Sequence, residues 1–124
     1  MSTQDHEFAN YCAELLAPLG AVRVKRMFGG HGFYVDELFI AILASDRLYL
    51  KADAVSRPKF EAANCIAFHY EAKGKRMSLS YFSPPDEALE SPASMRGWAT
   101  LALQAAQRAG AAAKPAVKPP RRAR

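Results

Sequence analysis

No apolar run in this 124-residue chain approaches the roughly 18 residues a membrane-crossing helix needs. The opening residues, MSTQDHEF, also lack the apolar centre of a signal peptide. A cytoplasmic protein with no membrane partner is therefore expected. Cysteine is scarce too. Cys12 and Cys65 are far apart and form neither a CxxC pair nor a disulfide framework, so both read as buried thiols. The three histidines, His6, His31 and His69, show no HxH or HxxxH spacing and no adjacent cysteine pair. No metal site is expected from them. Ser78, Ser80 and Ser83 lack a GxSxG setting, and Asp36, Glu37, Glu61 and Glu71 form no acid–base pair by spacing. The sequence points to no reaction and no cofactor, so a non-enzymatic protein is expected.

What charge there is lies in one place. Residues 1–109 hold 12 Lys and Arg against 12 Asp and Glu, so this body is neutral. Residues 110–124, GAAAKPAVKPPRRAR, add Lys114, Lys118, Arg121, Arg122 and Arg124 with no acid, which accounts for the net +5. Proline and alanine fill the rest of that tail. Such a segment has almost nothing to bury and is expected to be disordered and extended. The expected division is one domain over residues 1–109 and a basic tail over residues 110–124.

Within the body, apolar spacing predicts the elements. Phe8, Tyr11, Cys12, Leu15 and Leu16 form one helical stripe that Pro18 and Gly20 end. Residues 33–35, 38–44 and 48–51 read as strands joined by turns at Asp36 with Glu37 and at Ser45 with Asp46. The run LFIAILA is apolar on both sides, as a central strand requires. Ser56 is expected to cap a short helix through residue 63, followed by a hairpin in which Phe68 and Tyr70 answer Met77, Leu79 and Tyr81. A last helix carries Met95, Trp98, Leu101, Ala102 and Ala105 and ends at Gly110. The order α-β(3)-α-β(2)-α predicts an α+β, two-layer sandwich with an antiparallel sheet and helices on one face. Phe8, Phe28, Phe33, Phe39, Phe60, Phe68, Tyr81 and Trp98 are expected on inner faces.

Two groups of residues are candidate interaction sites. The glycine cluster Gly29, Gly30 and Gly32 with His31 could bring backbone close to a phosphate, but it leads into a strand instead of a helix. A turn or bulge at the sheet entry is the simpler reading. Arg26 just before it is expected to buttress that turn. Arg23 and Lys25 belong with a solvated basic surface. The tail cations suit a non-specific grip on a phosphate backbone.

The residues RMFGG-x-GF-x-VD, LFIA, LYLKAD, Phe60, YEAKGK-x-MSLSYF, PDEAL and Trp98 together resemble the TfoX N-terminal domain family. The resemblance covers roughly residues 8–108. It implies a secretion-chaperone-like α/β sandwich and a bacterial protein associated with competence regulation. It also implies that members named as competence regulators carry a second helical domain where this sequence has its basic tail. No catalytic residue comes with it. The preferred function is a non-enzymatic regulatory or protein-binding module; the alternative is a DNA- or RNA-binding accessory protein using the tail. A homodimer through sheet faces or edges is expected if Tyr34, Phe39, Leu43 or Phe82 line the outer face.

Overall fold

Thr3–Leu16 forms helix α1 because Ala9, Cys12, Leu15 and Leu16 recur at helical spacing and are all buried. The computed structural model describes residues 3–27, 30–44, 47–72 and 75–113. A short 3₁₀ turn over Ala17–Leu19 closes α1, with Pro18 at a position where its missing N–H is no loss. Gly20 follows for a steric reason. A Cβ there would lie 2.5 Å from Asp36 Oδ2. Asp36 Oδ1 accepts a hydrogen bond from the Ala21 N–H at 3.0 Å, and the Asp36 N–H donates to the Ala21 carbonyl at 2.8 Å. The chain leaving α1 is thus pinned to a turn fifteen residues later.

The strands are β1 (Val22–Met27), β2 (Gly30–Val35), β3 (Leu38–Ala44), β4 (Arg47–Lys51), β5 (Ala67–Ala72) and β6 (Lys75–Phe82). Helix α2 (Arg57–Ala62) follows β4, and α3 (Pro92–Ala113) follows a 3₁₀ segment over Asp86–Glu90. All six strands form one antiparallel sheet in the order β1-β2-β3-β4-β6-β5. The run Leu38–Ala44 is an interior strand, as its two-sided apolarity demanded. The α+β two-layer architecture is as the sequence predicts, with one more strand. Val22–Met27 alternates Val22 and Val24 with Arg23 and Lys25, but its exposed place at the sheet edge leaves too little apolar signal.

Cross-strand partners sort the side chains into two faces. Phe33 opposes Ala41, Ala41 opposes Leu50, Leu43 opposes Leu48 and Leu50 opposes Phe82, all of them buried. This is the face under α1, α2 and α3. A bulge where β2 meets β3 lets successive residues Ile40 and Ala41 both be fully buried. It also turns Phe39 outward, opposite Tyr34. Helix α2 is anchored by Phe60, which stacks on Phe82 at 5.3 Å and meets Trp98 of α3 at 5.4 Å.

Ser56 does not cap α2 by itself. Asp53 Oδ1 accepts from the Ser56 N–H at 3.1 Å while the Asp53 N–H donates to Ser56 Oγ at 3.0 Å, a reciprocal box that begins the helical turn three residues earlier. Helix α3 runs through Gly110 to Ala113. Nothing lies within 4 Å of the Gly110 Cβ direction, so that glycine is helix interior instead of a stop. Cys12 is fully buried, and burial pushes its thiol up to about 12. Cys65 is only half-buried, a correction to the expectation of two buried thiols. Partial burial pushes the Cys65 thiol up as well, so an aromatic disulfide reagent at pH 8 is expected to label Cys65 in the native protein, more slowly than a free thiol, and Cys12 only on unfolding. Two equally fast thiols would contradict the packing described.

The turn between β2 and β3 places both Asp36 (φ 49°) and Glu37 (φ 67°) in the left-handed region. This is the backbone of a two-residue hairpin turn that glycine suits best at the second position. Glu37 occupies it while gripping Arg23 through two hydrogen bonds, at 2.8 and 3.2 Å. Exposed ion pairs add little, so relief of the backbone strain should win. Glu37→Gly is expected to raise the thermal midpoint by a few degrees in calorimetry; a fall would mean that the Arg23 pair dominates.

Candidate interaction surface

The glycine cluster resolves into strand backbone. Gly30 to Gly32 are the first residues of β2, paired with β1 on one side and β3 on the other. A Cβ on Gly30 would overlap the Leu43 carbonyl oxygen, so the glycine answers a close approach of two backbones. His31 is buried, in register with Arg26 of β1 and Leu43 of β3, on the helix-side face. Arg26 is exposed at the end of β1. Gly29 lies outside the described residues, as do the tail cations Lys114, Lys118, Arg121, Arg122 and Arg124. The cluster is therefore brought together by strand pairing, with His31 turned to the interior.

The opposite face of the sheet has a different character. Tyr34 and Phe39 meet at 5.1 Å, Phe39 and Tyr81 at 6.2 Å, and Tyr49 meets Phe68 edge-on at 4.9 Å. Ile42 sits opposite Tyr49 in the same band. None of the described helices covers these rings, since all three pack on the other face. The Arg23 guanidinium lies 4.3 Å above the Tyr34 ring, and Lys51 Nζ lies 5.4 Å from the Tyr81 ring. Lys25 follows Arg23 on the same side of β1, opposite Gly32. At the centre of the band Tyr81 is only 8% exposed, and burial, with a smaller contribution from Tyr34, pushes its hydroxyl up to about 12.

This face corrects the expectation for the aromatics. Phe33 and Phe60 lie in the core as expected, whereas Phe39, Phe68 and Tyr81 belong to the open face. The two-residue period fixes which strand residues share a side but not which side meets the helices. Of the four residues proposed for the outer face, Tyr34 and Phe39 line it. Leu43 and Phe82 are buried beneath the helices. Phe28 lies outside the described residues.

The family model for the TfoX N-terminal domain matches residues 14–106, from the last turn of α1 through all six strands and most of α3. The chain belongs to the TfoX N-terminal domain family. A DNA transformation protein TfoX from Haemophilus influenzae is 30% identical over 93 residues, covering 73% of this chain and 43% of that protein. DNA transformation protein TfoX1 of Aliivibrio fischeri is 25% identical over 95 residues, covering 77% and 44%. An uncharacterized 12.7 kDa protein of Spirochaeta aurantia is 37% identical over 57 residues, covering 46% and 50%. This TfoX N-terminal domain chain thus spans under half the length of the relatives named for DNA transformation.

One structural pair of this TfoX N-terminal domain reaches past the matched span. Arg108 of α3 donates to both Asp53 oxygens, Nε at 2.6 Å and the terminal nitrogen at 2.9 Å, in a two-pronged bond. Asp53 also accepts from the Val55 N–H at 3.1 Å and closes the box with Ser56. The Arg108 hydrogen bond, reinforced by the Ser56 and Val55 N–H groups, holds the Asp53 carboxyl well below the usual carboxylate range. In the sequence Asp53 is a weak helix-start signal, because the residue three positions on is Ser56 and not the Glu or Gln of a capping box. A carboxylate with a depressed folded pKa contributes stability above its ordinary value of 3.8, and that contribution is lost as pH falls below it. The gap between the urea midpoints of wild type and Asp53→Asn is expected to hold at neutral and mildly acidic pH and to narrow progressively once pH drops below the ordinary value of 3.8. A constant gap would remove Asp53 as an acid-sensitive tie.

An open hollow of about 310 Å³ lies between the end of α2 and the residues after β6, lined by Arg47, Cys65, Ile66, Ser83 and Asp86 among others. Among the described residues, His, Cys, Asp and Glu form no group of three able to hold a metal ion. No described helix is long and apolar enough to cross a membrane.

Proposed function

We infer that this TfoX N-terminal domain protein is a non-enzymatic regulatory module that acts by binding a macromolecular partner on the open face of its sheet. The observation that carries the reading is the aromatic band of Tyr34, Phe39, Tyr49, Phe68 and Tyr81, spread over the sheet away from the helices. Aromatic rings in such numbers on one strand face are favoured where contact area must be gained at low entropic cost. The relatives named as DNA transformation proteins support a role in competence regulation. Complementation tests this. A deletion strain is given the wild-type gene or Tyr49→Ser with Phe68→Ser, and the deletion-sensitive transcripts are measured. The double variant is expected to keep its fold by circular dichroism and fail to restore them. Full restoration would sink the reading.

A second reading is favoured by the charge of residues 110–124, which carry five cations and no acid. In it the tail grips DNA or RNA without reading sequence. Fluorescence anisotropy with a random duplex would then give a log–log salt slope of roughly −4 to −5. A version ending at Ala113 keeps α3 whole and is expected to lose that binding. Equal binding by both forms, or none at low salt, would discard the tail reading.

A further inference from the structure

We propose that the open face of the sheet is a binding platform for single-stranded nucleic acid, with aromatic rings for bases and cations for phosphates. The proposal rests on the reading of that face as the working surface and names its ligand. Three observations lead there. First, rings alternate with cations across the face. Arg23 sits over Tyr34, Lys51 lies beside Tyr81, and Lys25 is exposed on the edge strand. Second, the strand positions on that side hold no carboxylate among the described residues. Glu37, in the turn at its margin, is engaged by Arg23. Third, Phe39, Tyr49 and Phe68 are each partly exposed, so a planar group can reach them.

The charge pattern separates the candidate occupants. A second copy docked face to face would bring Arg23, Lys25 and Lys51 against the same cations, and among the described residues the acid at the margin, Glu37, is already taken up by Arg23. A polyanion meets them with phosphate. A duplex keeps its bases stacked inside and cannot offer their faces to a flat sheet, whereas a single strand can splay them onto the rings. Stacking on Tyr49 and Phe68 tolerates any base, so the platform binds without strict sequence preference. Six strands set about 4.8 Å apart give the sheet roughly the width for a run of four nucleotides.

The test uses the full chain with a fluorescein-labelled fifteen-residue deoxythymidine oligonucleotide, read by anisotropy across a salt series. Wild type, Tyr49→Ser with Phe68→Ser, and Lys51→Ala are compared, each checked for an unchanged circular dichroism spectrum. The double variant is expected to lose roughly tenfold or more in affinity, since each stacked base contributes that order. Lys51→Ala is expected to flatten the salt slope by about 0.7. Ultraviolet cross-linking followed by mass spectrometry should place the oligonucleotide on the peptide holding Tyr49 or Phe68. Undiminished binding by the double variant would overturn the proposal and assign the affinity to the tail. No binding by wild type at low salt would also overturn it. In that case, failed complementation by the same double variant would leave the face as a protein-contact surface. A double variant that turns a dimer into a monomer in light scattering, with no oligonucleotide affinity in the wild type, would show a second copy as the occupant.

Discussion

Phe60→Ala is expected to destabilise the domain by about 4 kcal/mol, the order seen when a buried aromatic is cut back to a methyl group. Phe60 is fully buried, stacked nearly parallel on Phe82 and tilted against Trp98. Helix α2 is only six residues long, too short to persist without tertiary support. Its grip on the sheet is this ring together with the Asp53 and Ser56 box. Removal therefore leaves a cavity among Phe82, Trp98 and the sheet and also frees α2. For a domain of this size the thermal midpoint should fall by roughly 20 °C. Urea unfolding followed by circular dichroism measures it. A loss below about 1 kcal/mol would mean that the neighbouring rings collapse into the gap and that Phe60 is not the anchor.

Gly30→Ala is the second large effect, expected at about 3 kcal/mol or an outright failure to fold. The added Cβ meets the Leu43 carbonyl oxygen, a backbone atom of an interior strand that cannot swing aside as a side chain would. Either β2 moves off β3 or their pairing breaks near His31 and Leu43. The experiment also separates two meanings of the glycine cluster. A glycine kept for backbone approach to a phosphate would tolerate alanine in the free protein and lose only ligand affinity. A glycine kept for strand packing loses stability with no ligand present. Chemical denaturation of the unliganded variant decides between them, and an unchanged midpoint would revive the phosphate reading.

How far the sequence could be read follows from what each pattern encodes. Period determined element type: α1, the interior strand Leu38–Ala44, the late hairpin and the long last helix all declare themselves by spacing. The motif from Arg26 to Asp53 was specific enough to give the family. Local reading weakened where burial was shallow. β1 carries a weak signal because an edge strand presents few apolar side chains, and the basic residues that guard it look like any solvated surface. The role of Asp53 is invisible to local spacing because its partner Arg108 lies 55 residues away and only packing of α3 brings them together.

The sequence by itself determined the α+β class, the kinship and the neutral body with its basic tail, because composition and periodicity are local properties of the chain. Tertiary structure alone decided which side of the sheet the helices cover. Strand alternation is symmetric between its two faces, and a single bulge at Ile40 is enough to send Phe39 one way and Ala41 the other. That choice put Tyr34, Phe39, Tyr49, Phe68 and Tyr81 on the open side and His31 in the interior. The candidate surface is therefore a product of layer packing, assembled from five strands that no linear motif could have joined.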